Sequence, residues 1–124
     1  MVRDMLEKLI KQPFPNSHPK FLITKKYKKG LELDCYNSDL KLAIEVDGIG
    51  HYQFNKFFHK TIEKFENQQK RDNDKDLLCK ENDVILIRIP HQYTYKNWIE
   101  LYNYLLDQLD KNGILERLDM FILN

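Results

Sequence analysis

The stretch that most constrains this chain is Leu31–Tyr52, LELDCYNSDLKLAIEVDGIGHY. Apolar and polar residues alternate over Leu31–Asn37 and again over Leu40–Asp47, the period of two half-buried strands. Asn37, Ser38 and Asp39 between them are turn formers. A hairpin closing symmetrically around Asp39 and Leu40 puts Asp34 across from Glu45 and Glu32 across from Asp47. The alternation then sets these four carboxylates on one face, and Leu33, Cys35, Leu42, Ile44 and Val46 on the other. Like charges directly opposite one another destabilise a sheet, so such a block needs a reason. A hard divalent cation held by oxygen ligands, Mg²⁺ or Mn²⁺, is the most economical one.

The plainer alternative is a solvated hairpin face. Two features argue against it. Cross-strand partners share one sign, where a solvated face mixes signs. The second strand also leaves through a glycine-rich exit that ends in a histidine, EVDGIGH.

The 124 residues suffice for a single domain with a real core, residues 1–124 taken as one unit. Lys and Arg exceed Asp and Glu by one, so net charge alone neither selects nor excludes a nucleic-acid partner. What matters is where the charges lie. No apolar run is long enough to span a membrane, and MVRDMLEKLIKQ carries acidic residues where a signal peptide would be apolar. Cys35 and Cys79 are far apart with no metal-type spacing, as expected of reduced core thiols in an intracellular protein, cytoplasmic or nuclear.

In chain order, Met1–Gln12 reads as a helix with Met5, Leu6, Leu9 and Ile10 at helical spacing, stopped by Pro13. Glu7 on it reads as a surface charge, with an extra site carboxylate as the alternative. Lys20–Lys29, KFLITKKYKK, reads as a strand ending in a basic cluster. Lys25, Lys26, Lys28 and Lys29 could neutralise phosphates while Tyr27 stacks on a base or sugar; a lysine-protected edge strand is the competing reading. A long helix is expected from near Lys60 to near Asn82. Its stripe begins apolar and turns polar, with Gln68, Asp72 and Lys75 along one edge, where a site is expected; a solvated turn with internal ion pairs is the competing reading, and Arg71 lies on the same helix. Val84–Ile89 reads as a fully buried strand parallel to Leu40–Asp47. Tyr95–Lys111 reads as a helix with Trp98, Leu101, Tyr102, Leu105 and Leu109 inward. The apolar tail after Gly113 is either a last helix or an arm onto a partner.

With LELDCYN, LKLAIEVDGIGHY and QQKRDNDKDLLCKENDVILIRIP in this order, the chain resembles the PD-(D/E)XK nuclease superfamily. The likeness is to its short E-x-D-G-x-x-H branch, with very-short-patch-repair-like and small viral or phage-encoded endonucleases, and covers roughly Phe21 to Pro90. It implies an α/β, restriction-endonuclease-like fold: a mixed sheet flanked by helices in the order α-β-β-β-α-β-α. Asp34 and Glu45 match the metal-ligating acids, with the main chain of Val46 as a further ligand. His51 matches the branch histidine and Asp72 an acidic position of the helical motif. The superfamily's lysine, two residues after the second acid, is here Asp47, and Lys75 is the candidate to replace it. Leu33 stands in place of the motif proline. The implied activity is Mg²⁺- or Mn²⁺-dependent hydrolysis of phosphodiester bonds in DNA, catalysed by Asp34, Glu45, Asp47, His51, Asp72 and Lys75. Lys25, Lys26, Tyr27, Lys28, Lys29 and Arg71 would contact nucleic acid, and a homodimer is left open. The alternatives are a catalytically inactive nucleic-acid-binding module and an interaction subunit of a larger complex. Zinc is the weakest idea, because His18, His51, His59 and His91 lack finger-type spacing to Cys35 or Cys79.

Overall fold

The first helix, α1 (Val2–Ile10), turns Val2, Leu6 and Ile10 inward along one stripe, with Asp4 and Lys8 placed to suit its dipole. The computed structural model that shows this describes residues 2–48, 61–94 and 97–123. Lys11 ends the helix in the left-handed region, φ 62°. The Glu7 carboxylate accepts a hydrogen bond from the Phe14 N–H at 2.7 Å, so this residue fastens the exit of α1.

A three-stranded mixed sheet follows: β1 (Cys35–Asn37), β2 (Leu42–Val46) and β3 (Ile85–Ile89) in that spatial order. β1 and β2 are antiparallel with Cys35 opposite Ile44, the register expected for closure around Asp39 and Leu40. The turn is held by Asn37, whose Oδ1 accepts from the Leu40 N–H at 2.9 Å. β2 and β3 are parallel, with Glu45 opposite Arg88. Between them runs α2 (Ile62–Glu81), started by the Thr61 hydroxyl, which accepts from the Lys64 N–H. After β3 come α3 (Trp98–Lys111), capped by Asn97, and α4 (Ile114–Leu123).

Three expectations are corrected. The Lys20–Lys29 strand is absent: Lys20–Leu22 form one 3₁₀ turn, and the chain then closes on itself. Thr24 exchanges main-chain and side-chain hydrogen bonds with Tyr27, and Leu31 N–H returns to the Leu22 carbonyl at 3.1 Å. These local bonds outweigh the strand preference of Ile23 and Thr24. The described order is therefore α-β-β-α-β-α-α. β3 is also less buried than VILIRI implies, because among the described residues it pairs only with β2 and leaves Ile85, Leu86 and Arg88 half-buried. Finally, Trp98 is 62% exposed while Leu101, Leu105 and Leu109 fill the core.

Both faces of the sheet are covered. Leu42 and Ile44 of β2 pack with α1, α3 and Ile114 of α4 in one apolar cluster that also takes Cys35, Ile87 and Ile89. Ala43, on the opposite face, joins Leu22, Leu31, Leu33, Cys79 of α2 and Val84 in a second. Both thiols are free and buried, and burial pushes both up, that of Cys79 to about 11, so they are poor nucleophiles.

Candidate functional site

The second face of β2 changes character at its carboxyl end, where Ala43 gives way to Glu45. Asp34 reaches it through a break in the strand before β1. Leu33 pairs both ways with Ser17, whereas the next bond on that edge runs from Tyr36 N–H to Pro15 carbonyl. Two residues, Asp34 and Cys35, thus stand opposite one, Asn16, the count of a β-bulge. Leu33 consequently packs in the second cluster and Cys35 in the first, although their spacing would put them on one face. Asp34 lies at the bend. Its Oδ2 accepts from the Val46 N–H at 3.4 Å, and its main-chain carbonyl accepts from Arg3 Nη2 at 2.6 Å.

The bulge also removes Glu32 from the expected carboxylate block. Glu32 instead accepts from Asn16 at 2.8 Å and lies 3.3 Å from His18 Nε2, both contacts near the surface.

Glu45 is only 6% exposed. Lys75 Nζ, from α2, donates to its Oε1 at 2.8 Å. Burial is the largest influence on the Glu45 carboxyl, followed by its hydrogen bond with Asp34. Together they push its pKa up to about 7 although Lys75 pulls the other way. Asp34, Glu45 and Lys75, taken from three separate stretches of sequence, therefore meet at one point.

Asp47, still more buried, receives Nη1 of Arg88 at 2.8 Å. The same guanidinium donates twice to Asp76 Oδ1, at 3.0 and 2.8 Å, and to the Asp72 carbonyl at 3.3 Å. Burial works against its charge, yet Asp76, Asp47 and Asp72 more than offset this and hold its pKa above the usual value. One turn of α2, residues 72–76, is thus fixed to the sheet at two points: Lys75 on Glu45, and Arg88 between Asp47 and Asp76. The Asp72 side chain is half-buried on the same turn. His51 lies outside the described residues.

The basic loop approaches the other side of that turn. Tyr27 Oη donates to Asp74 Oδ2 at 2.6 Å and Lys26 Nζ to the same oxygen at 3.1 Å, and the two bonds hold Asp74 below the usual carboxylate range. Lys26 also lies 5.3 Å from the centre of the Tyr27 ring. Lys25, Lys28, Lys29 and Arg71 are exposed. Without a strand here, the edge-protection reading of these lysines loses its basis.

The chain is similar to proteins of viruses. It is 44% identical over 94 residues to the uncharacterized protein 033L of Invertebrate iridescent virus 3, which covers 76% of this chain and 47% of that protein. It is 41% identical over 112 residues to the uncharacterized protein 307L of Invertebrate iridescent virus 6, 86% of this chain and 54% of that one. With the uncharacterized protein 094L of Frog virus 3 (isolate Goorha) it shares 33% identity over 96 residues, 77% and 61% of the two chains. The chain spans about half the length of the first two of these relatives. No family model and no solved structure matches it. Among the described residues no helix is long and apolar enough to cross a membrane.

Two residues at the site escape a reading of motifs alone. Arg88 had a signal: a cation inside the apolar run VILIRI needs acidic company, because an unpaired buried charge is costly. Arg3 had none, since its partners are the Phe14 and Asp34 main-chain carbonyls, beside the Cys35 thiol.

Proposed function

We propose that this chain is a metal-dependent endonuclease that hydrolyses phosphodiester bonds in DNA, acting inside the host cell of a virus. The single observation that carries the reading is the meeting of Lys75 and Asp34 on the Glu45 carboxylate. The donor set suits Mg²⁺ or Mn²⁺. Two carboxylates from separate segments, Asp34 and Glu45, offer the oxygen ligands that a hard divalent cation would take. Among the described residues no group of three or more Asp, Glu, His or Cys side chains gathers around one point. Mg²⁺ accepts such a site, being held by one or two carboxylates, water and substrate phosphate.

When bound, the ion supplies a Lewis acid that acidifies water and offsets charge on the scissile phosphate. Asp34, Glu45 and the main chain of Val46 would hold it. Lys75 keeps its ammonium at the Glu45 carboxylate, within reach of a phosphate oxygen, as the superfamily lysine does from a different position. Asp47 and Asp72 act at one remove, Asp47 through its ion pair with Arg88 and Asp72 through the α2 turn that carries Lys75. His51 remains a candidate for proton transfer on the strength of the motif. Lys25, Lys28, Lys29 and Arg71 grip the phosphate backbone without reading sequence. Lys26 and Tyr27 hold the basic loop against α2 through Asp74, which argues against base stacking by Tyr27.

A plasmid-cleavage assay with Mg²⁺ and Mn²⁺ tests the reading. Wild type is expected to nick or linearise DNA. Lys75→Ala should lower the rate by about a hundredfold, the scale of a positioned catalytic group, and Lys70→Ala, on the same helix, should leave it unchanged. Equal losses would mean a generic basic surface. A second reading, a nuclease fold that binds nucleic acid without cutting it, is favoured by one observation: Asp47 occupies the superfamily lysine's position and is neutralised by Arg88. Binding without cleavage under either metal would select it.

A further inference from the structure

We infer that Arg3 is the positioning residue for Asp34. The bulge that aims Asp34 at Glu45 takes the Asp34 carbonyl out of the sheet ladder to an exposed edge, where water would satisfy it but would not hold it in one orientation. Arg3 supplies the missing donor: Nη2 reaches the Asp34 carbonyl at 2.6 Å while Nε reaches the Phe14 carbonyl at 3.0 Å. Phe14 directly precedes Pro15, whose carbonyl takes the Tyr36 N–H on the far side of the bulge. One planar guanidinium therefore ties both chains of the irregular pair. The fork matters, because a lysine ammonium cannot span two carbonyls with the same fixed geometry. Arg3 is itself anchored by α1, whose Val2 and Leu6 are buried on either side of it in sequence. The helix packed on one face of the sheet thus sets a side chain that works on the other.

The metal-ligand role of Asp34 rests on the proposed function, but the positioning itself does not. The Val46 N–H, held by Asp34 Oδ2, reports on the Asp34 side chain, and the Asp47 N–H, held by the Ile89 carbonyl at 3.0 Å, reports on general opening of the same strand end. Native-state hydrogen exchange of the full chain is measured for wild type, Arg3→Met and Arg3→Lys. The expected result is a Val46 amide that exchanges about tenfold faster in Arg3→Met, as for the loss of a single charge-assisted bond, with Asp47 unchanged and Arg3→Lys in between. Acceleration of both amides alike, or of neither, overturns the inference. If Arg3→Met does not fold, Arg3→Lys against wild type decides by the same pair of amides. Mn²⁺ binding to the same proteins, read from the free-ion paramagnetic resonance signal, should weaken several-fold in step with Val46 exchange; unchanged affinity beside a faster Val46 amide would take Asp34 out of the metal site and count against the proposed function, while the amides still establish the positioning. Wild type that binds no Mn²⁺ would instead remove the proposed function, and the two amides would still decide the role of Arg3.

Discussion

The two faces of β2 differ in what they tolerate. Leu42 and Ile44 look into an all-apolar cluster where α1, α3 and the start of α4 converge. One residue along, Ala43 and Glu45 look toward α2, where apolar packing around Cys79 ends in Lys75, Asp76 and Arg88. The first face gains stability by excluding water from hydrocarbon. The second gives some of that up by burying a carboxylate beside another carboxylate. Alternating residues of a single five-residue strand therefore serve opposite ends, and the electrostatic cost lies on the face that carries Glu45.

Neighbouring substitutions on β2 sharpen the contrast most. Glu45→Gln should lower DNA cleavage by about a thousandfold or more, the scale seen when a group stabilising transition-state charge is removed. It should leave the metal-free protein about as stable as wild type at pH 8, because relief of the Glu45–Asp34 repulsion and of the buried charge offsets loss of the ion pair with Lys75. Asp34→Ala should likewise abolish cleavage with the fold retained. Ile44→Ala should do the reverse: lose about 2–5 kcal/mol of stability through the cavity it leaves, and keep its activity well below its melting temperature. Cleavage assays and denaturant titrations on these variants check the contrast. Normal cleavage by both acid variants would put the site elsewhere.

A smaller effect separates the faces by pH. The folded Glu45 carboxyl titrates near 7 against an unperturbed 4.5. Between those values the folded protein holds a proton that the unfolded chain has released, so stability falls as pH rises. The contribution is fully present below about pH 4.5, is lost through about pH 7, and amounts to about 3 kcal/mol over the window. Glu45→Gln should remove this slope, whereas Ile44→Ala should keep it. Denaturant titrations at pH 4.5, 6 and 8 make the comparison. Identical slopes for wild type and Glu45→Gln would show that the carboxyl is not held in this environment.

The same contrast explains what could be read from the sequence. The Asp34–Glu45 register follows from alternation and from the turn residues Asn37–Asp39, which are local signals. Lys75 follows from the change of character along the α2 stripe only once the hairpin marks where a site lies, since the same residues also fit a solvated turn of helix. Glu32 does not reach the expected block, because a one-residue bulge at Asp34 depends on a distant partner, the Pro15–Ser17 segment, and flips everything before it. Lys20–Lys29 carries strand-forming residues, yet side-chain and main-chain bonds between Thr24 and Tyr27 close it into a loop. Trp98 has the spacing of a core residue, but it sits one turn before the part of α3 that the sheet covers. Arg3 and Arg88 act on main-chain atoms and on residues from other segments, where periodicity says nothing.

The smallest expected effect lies at the rim, outside both faces of β2. Lys25, Lys28 and Lys29 project from a loop that Asp74 fastens to α2 through Lys26 and Tyr27. If these exposed lysines grip phosphates, Lys25→Ala/Lys28→Ala should weaken binding to every DNA sequence alike, because backbone contacts carry no sequence information. It should also reduce the slope of log affinity against log salt by roughly one unit for each phosphate no longer neutralised. The bond-breaking step at saturating DNA should hardly change, since the loop meets α2 at Asp74 while the carboxylates meet it at Lys75. Tyr27→Phe offers a finer cut. It keeps every charge and breaks only the bond to Asp74, so the salt slope should stay as in wild type while affinity falls by the cost of ordering a loosened loop. Salt titrations of wild type and the two variants distinguish the effects. Parallel slopes with equal affinities for the double variant would retire the grip at Lys25 and Lys28 and leave the DNA reading resting on the face that carries Glu45.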